Sequence, residues 1–199
     1  MAPQNGEKPS SAPAPCTKIN RALLLLRVLA FSATAAATIV MALNKQTKTF
    51  VVATIGTTSI KATLTAKFND TPANVFFVVA NGLGSLHNLL MILLDIFGRK
   101  LDYKGFRLPG IAILDMLNVV LVSAGVNAAA FMADLAKHGN SHARWDKICD
   151  RFGKFCDHGG GALISSFIGL FLMLLICAVS IIKLLKPNAT TSHINISFP

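Results

Sequence analysis

Four kinds of residue in this chain could do chemistry. Arg27 and Asp115 are ionisable groups inside otherwise apolar stretches, His87 is a titratable ring in another such stretch, and Cys149 and Cys156 form a close thiol pair in a polar segment. A charge inside hydrocarbon costs ~2.5–3.5 kcal/mol on the insertion scale, so it is retained where it is paired or where it marks a path for ions or protons. The depths of Arg27 and Asp115 favour pairing. Arg27 lies five residues into its stretch and Asp115 seven into its own, which at 1.5 Å per residue places them ~8 and ~10 Å below the same face. Arg27 reaching back to the headgroups along its own stem is the competing reading. His87 sits ~15 Å from the end of its stretch, with Asn81, Asn88, Asn118 and Asn127 as candidate partners in the bundle. A neutral His hydrogen-bonded to an Asn and a proton or ion path through His87 and Asp115 are both open.

The elements that must position these groups follow from composition. Hydrophobic residues make up 53% of the 199 and charged residues 14%, against about 25% charged in a soluble domain. The apolar residues fall in four blocks at about 22–43, 73–97, 108–133 and 161–185. Each meets the ~20 residues that a helix needs to cross ~30 Å of hydrocarbon. The predicted fold is an all-α membrane protein, a four-transmembrane-helix bundle over 22–185 with cytosolic termini and two extracellular loops, flanked by cytosolic tails at 1–21 and 186–199. The first block is too long for a signal-peptide core and follows a Pro, Ser and Ala-rich tail, so it is read as a retained helix. A soluble enzyme is excluded. The net charge of +10 sits in tails and loops beside apolar spans, without interleaved aromatics, which assigns it to anionic lipid headgroups and not to nucleic acid.

Basic residues in short loops mark the cytosolic side. The second loop holds Arg99, Lys100, Lys104 and Arg107 within ten residues, whereas the first has only Lys45, Lys48, Lys61 and Lys67 over 44–72. The cysteines agree with that threading: a pair such as Cys149 and Cys156 in an extramembrane loop is most simply a disulfide in an oxidising compartment. Asn69-Asp70-Thr71 is then the glycosylation candidate, and the acceptor patterns at Asn188 and Asn195 are silent. Cys177, inside the fourth span, reads as a packing residue. Cys16 is either a site of reversible acylation or a reduced cytosolic thiol. Asp95 reads as an interfacial partner of Arg99.

In the third loop, Trp145, Ile148, Cys149, Phe152 and Cys156 recur at helical spacing, which predicts a short amphipathic helix. Cysteines seven apart on a continuous helix would be ~10.5 Å apart, beyond disulfide reach, so a bridge requires a break, placed at Gly153. The first loop is Thr-rich; it forms either two short strands turning at 56–58 or an unstructured linker. Small residues at four-residue spacing (Gly161, Ser165 and Gly169; Gly125 and Ala129; Ala30, Thr34 and Ala37) are read as bundle packing first and oligomer contact second. There is no phosphate loop, HExxH, CxxC or nucleophile elbow, and His138, His142, Asp157 and His158 lack metal-type spacing, so no metal, cofactor or catalytic site is assigned.

These residues resemble the plant Casparian strip membrane domain protein-like (CASP-like) family, four-span relatives of the MARVEL fold. The resemblance rests on Leu26-Arg27-Val28-Leu29-Ala30, Phe77-Val78-Val79-Ala80-Asn81, Leu114-Asp115 with Ser123-Ala124-Gly125, and the third-loop pattern His138-Gly139-Asn140, Trp145, Ile148-Cys149 and Phe155-Cys156. The family's characteristic Arg and Asp fall on Arg27 and Asp115, and its extracellular cysteine pair on Cys149 and Cys156. The resemblance implies a plasma-membrane protein that self-associates, as a homo- or hetero-oligomer with other CASP-like proteins, and organises wall-modifying partners. The first loop lacks the acidic residue and Leu-Pro-Phe-Phe type stretch associated with strip-forming members, so a general CASP-like role is implied. The functional expectation is a non-enzymatic scaffold in membrane lipid, held together by Arg27 and Asp115, with an outer-loop recognition surface at Trp145, Phe152 and Phe155. A small ion or proton transporter using His87 and Asp115 is the alternative.

Overall fold

The computed structural model describes residues 15–97 and 107–185. Among them the order is α1 (Pro15–Ala42), β1 (Lys45–Ile55), β2 (Thr58–Lys67), a 3-10 turn at Phe68–Asp70, α2 (Pro72–Phe97), α3 (Arg107–His138) and α4 (Gly153–Leu185). All four helices are long and apolar enough to cross a membrane, and the protein is mostly helical. The tail residues 1–14 and 186–199, the side chain of Cys16, the second-loop cations Arg99, Lys100, Lys104 and Arg107, and Asn188 and Asn195 lie outside the described residues and side chains.

The helices pack in cyclic order, α1 and α3 each lying against both α2 and α4. Small residues lie inside beside a few large ones: Ala30, Ala37, Ala80 and Ala162 are fully buried together with Phe77, Val122 and Val126, whereas Phe131 is 73% exposed and Leu25 64%. Hydrocarbon solvates a Leu as well as another Leu does, so helices in lipid associate by close backbone approach at small residues. Gly125 shows this: a Cβ there would stand 2.7 Å from the Cβ of Ala80, so α2 and α3 touch backbone to side chain. A Cβ at Gly169 would meet Thr34 Cγ2 at 2.8 Å, and Ser165 Oγ donates to Ala33 O at 2.9 Å, closing α4 onto α1. The small-residue positions named from sequence on α1, α3 and the middle of α4 are thus bundle contacts. A fourth close approach, Gly84 against Val122 at 2.8 Å, falls outside those repeats.

The first loop is an antiparallel hairpin, of the two forms the sequence left open. Its strands turn through Gly56 and Thr57, Gly56 having φ +62°. A left-handed first residue suits a two-residue hairpin turn, whose twist matches that of the strands. Thr47–Thr65 and Thr49–Thr63 hydroxyl pairs, at 3.0 and 3.1 Å, zip one face, and a bulge between Val51 and Ala53 shifts the register toward the tip. The base is fastened to α4. Gln46 Oε1 accepts from Phe155 N at 2.8 Å, Asn44 Nδ2 donates to Phe155 O at 2.8 Å, and the Phe50 ring meets Phe152 edge-on at 6.0 Å.

The third loop corrects one expectation. The amphipathic helix expected across Trp145–Cys156 does not form; residues 139–152 are turns, and helix begins at Gly153, the expected break, so that Cys156 sits in the first turn of α4. The chain reverses instead at Gly139 (φ +71°), where a Cβ would lie 2.7 Å from Trp145 O, and Asn140 and Trp145 exchange backbone hydrogen bonds at 3.0 and 2.9 Å. Ile148 N and Cys149 N then both donate to Ala136 O, capping α3. Helical spacing of apolar residues was satisfied here by a turn because these backbone groups had better partners at the end of α3.

Candidate functional site

Arg27 stands early in α1, His87 late in α2, Asp115 early in α3 and Ser180 late in α4. Alternating helix direction brings these four positions to one level, near the end of the bundle opposite the hairpin. There they meet on one carboxylate. Arg27 Nη1 and Nη2 donate to Asp115 Oδ1 and Oδ2 at 3.1 and 2.8 Å, a two-pronged pair. Ser180 Oγ donates to Oδ2 at 3.0 Å. His87 Nε2 lies 2.8 Å from Oδ1; a carboxylate can only accept, so Nε2 carries the hydrogen. Arg27 and Asp115 are 2% and 3% exposed.

Each helix contributes one group, and the carboxylate accepts four hydrogen bonds, the full capacity of its two oxygens. Because α1 and α3 face each other across the bundle, the Arg27–Asp115 contact is the diagonal brace, while His87 and Ser180 tie the neighbouring helices to the same atom pair. A planar guanidinium on a long stem is the side chain suited to that span, since its fork matches the carboxylate geometry.

His87 therefore pairs with Asp115 and not with an asparagine. The four asparagines proposed as companions serve their own helices: Asn81, Asn88, Asn118 and Asn127 each donate to a backbone carbonyl four residues earlier. Asn81 also accepts from Ser166 Oγ at 2.7 Å, a second buried polar tie, between α2 and α4. Sequence reasoning missed Ser180. Its signal was depth: Ser180 lies five residues from the end of α4, as Arg27 lies five residues into the first apolar block.

At the hairpin end, Cys149 and Cys156 are joined, with Cα atoms 5.7 Å apart. Of the three aromatics expected to form a recognition surface, Trp145 is exposed at 55% and Phe155 is half-buried. Phe152 is a correction: it is 8% exposed, held beneath Phe50, and anchors the loop to the hairpin. Its partner is the ring of Phe50 on the hairpin, distant in sequence, a contact that spacing within the third loop does not show. Asn69 is exposed in the 3-10 turn, which Asp70 Oδ2 stabilises by accepting from Lys67 N at 2.8 Å. Cys177 is buried and unbridged. His138 pairs with Asp134 at 2.9 Å in solvent, and among the described residues no three His, Cys, Asp or Glu converge as metal ligands do.

Residues 17–172 match the model of the Casparian strip membrane protein domain. The chain is 71% identical over 171 residues to CASP-like protein 1B2 of Populus trichocarpa, covering 84% of this chain and 86% of that one. It is 64% identical to CASP-like protein 1B1 of Ricinus communis over 200 residues, 98% of each chain. With CASP-like protein 1B1 of Arabidopsis thaliana the identity is 65% over 170 residues, 85% of this chain and 86% of the relative. No solved structure matches the chain. A multi-pass membrane chain with this much of its length matched is a member of the CASP-like family of plant membrane proteins.

Proposed function

We propose that this protein is a non-enzymatic plasma-membrane scaffold, with both termini cytosolic, that oligomerises laterally and recruits cell-wall-modifying partners through its outer loops. Arg27 and Asp115 are the intramembrane latch of the bundle, Cys149–Cys156 is an extracellular disulfide, and Asn69 is the glycosylation site. The threading draws its support from the basic second loop and from a disulfide in the loop opposite it.

The observation that carries the reading is the hairpin. It extends from the bundle beyond its fastened base and exposes Val51, Val52, Ile55, Ile60 and Leu64, of which Ile55, Ile60 and Leu64 share one face by the strand register, on a two-stranded element that is marginal by itself in water. Contiguous apolar surface outside a membrane is the mark of a protein contact. The carboxylate hub beneath it keeps the four helices in one register, so that the loops are presented on a fixed base.

The test is made in intact plant cells. Tagged protein is expected to recover slowly after photobleaching and to cross-link as multiples of the monomer. Serine at the five apolar hairpin positions is expected to preserve surface level while removing extracellular neighbours from proximity labelling. A freely diffusing wild-type protein that cross-links only as a monomer would refute the scaffold.

The contact between His87 and Asp115 favours a second reading, proton or ion transport. A relay carboxylate must exchange partners, and all four acceptor positions of Asp115 are engaged, which weighs against it. Flux in reconstituted vesicles that disappears on His87→Leu would establish transport in place of scaffolding.

A further inference from the structure

The outer faces of the four helices are not alike. Along the middle of α2 the outward positions are Val79, Leu83 and Leu86, and along α4 Ile168, Phe171 and Leu174, all exposed and all apolar. On α1, Ser32 is exposed, and its hydroxyl is spent on Val28 O at 2.9 Å. The outward stripe of α3 runs through Val120, Ala124, Asn127 and Phe131, each exposed. Asn127 therefore turns a primary amide toward lipid inside the apolar run 119–133. The nearest charged residue of α3, Asp134, is seven residues on, ~10 Å along the axis, too far for so short a side chain to share its water.

The amide is only half satisfied. Nδ2 donates to Ser123 O at 2.8 Å, and its other contact, to Ser123 Oγ at 3.4 Å, is longer than the usual ~2.7–3.2 Å. Oδ1 accepts from no group among the described residues. One N–H and the carbonyl oxygen are thus free for a neighbour, in a solvent that offers neither donor nor acceptor. Polar groups at such depth are expensive and normally turned inward, and Asn side chains join helices in lipid by hydrogen bonds between them.

We infer that, given the scaffold reading on which this rests, the lateral contact is α3 against α3 of a second copy, with Asn127 of one paired to Asn127 of the other. Two arguments select a second copy. Identical chains inserted the same way carry Asn127 at one depth by construction, a match that an unrelated helix has no reason to make. The amide is also its own complement: across a two-fold axis each Oδ1 accepts from the other's N–H, giving two hydrogen bonds from one residue. The neighbouring residues permit the approach. Ala124 is exposed and Ala128 half-buried at four-residue spacing, so two backbones can come close at the level of the amide. The small residues on the bundle side of α3 stay committed to the fold, Gly125 against Ala80 and Ala129 buried.

Full-length protein carrying donor or acceptor fluorophores is reconstituted in phosphatidylcholine vesicles, with no other protein or sterol to supply a partner, and energy transfer on dilution with lipid gives the dissociation constant. Asn127→Leu should weaken association roughly tenfold yet unfold in micelles at or above the wild-type temperature, because leucine replaces an amide facing hydrocarbon. Ala124→Phe, also outward, should weaken it by bulk, and Asn127→Gln, which keeps donor and acceptor, should lose less than Asn127→Leu. In a Cys16→Ser, Cys177→Ala background, oxidation should cross-link Ala124→Cys in preference to Leu83→Cys or Phe171→Cys. The α3 contact is overturned if the wild type associates and Asn127→Leu and Ala124→Phe associate equally well, or if the cross-links collect on α2 or α4; the scaffold reading then stands on another face. A wild type that stays monomeric at every dilution overturns both.

Discussion

Replacing Asp115 by Asn keeps the volume of the side chain and removes its charge. One of the two oxygens that now accept becomes an NH2 group facing donors: Arg27 Nη2 at 2.8 Å and Ser180 Oγ at 3.0 Å if the amide replaces Oδ2. Arg27 is then a buried cation with one neutral acceptor. Removing one partner of a buried ion pair costs ~3–5 kcal/mol, a factor of roughly 10² to 10³·⁵ in the folded ratio. Losing Ser180 alone removes one neutral donor, for which membrane hydrogen bonds average ~0.6 kcal/mol and reach ~1.7. The charge effect should therefore exceed the serine effect severalfold. Asp115→Leu combined with Arg27→Met should cost much less than Asp115→Leu alone, because no unpaired charge remains. Exchanging the two residues should restore part of the loss and not all of it, since an arginine at 115 cannot accept from His87 or Ser180. The assay is equilibrium unfolding in detergent micelles as a double-mutant cycle, read beside surface level in cells. Additive effects of the two single changes, each within about 0.5 kcal/mol of wild type, would show that the contact carries no coupling and that the bundle is held by packing alone.

Three other outcomes follow. Cys149→Ala opens a loop closed by residues seven apart, for which chain entropy gives about 2.5 kcal/mol; thermal unfolding should fall by several degrees, and reduction of the wild type should reproduce the shift. Gly125→Ala places a Cβ 2.7 Å from Ala80 Cβ and 3.4 Å from Phe77 Cα, so α2 and α3 must part at a cost of about 1–3 kcal/mol, whereas alanine at Gly110, with open space around its Cβ, should be neutral or stabilising. Asn69→Gln should remove an endoglycosidase-sensitive mass shift that Asn188→Gln and Asn195→Gln leave intact; the reverse pattern would invert the threading.

The four spans, the proximity of Arg27 to Asp115 and a break at Gly153 were legible in the sequence. Each depends on a quantity that sequence carries directly: helix rise, depth from a common face, and the distance a disulfide can bridge. The lower half of the polar hub was not. A helix in lipid is apolar on its packed and its lipid-facing sides alike, so hydropathy does not say how it is rotated about its axis, and rotation decides whether His87 meets an asparagine or Asp115. The third loop misled for a related reason. Trp145, Ile148 and Phe152 have helical spacing, but the backbone found donors and acceptors at the end of α3 and at Gly139, contacts between segments that periodicity within one segment does not encode.

What the sequence determined by itself was the number of membrane crossings and the cost of the ionisable residues within them, because both are sums over local residues. The tertiary structure decided that Asp115 serves all four helices and that Phe152 is an anchor beneath Phe50. Those depend on which faces meet, and faces are chosen by the packing of small residues between helices, a property of pairs of segments and not of either one.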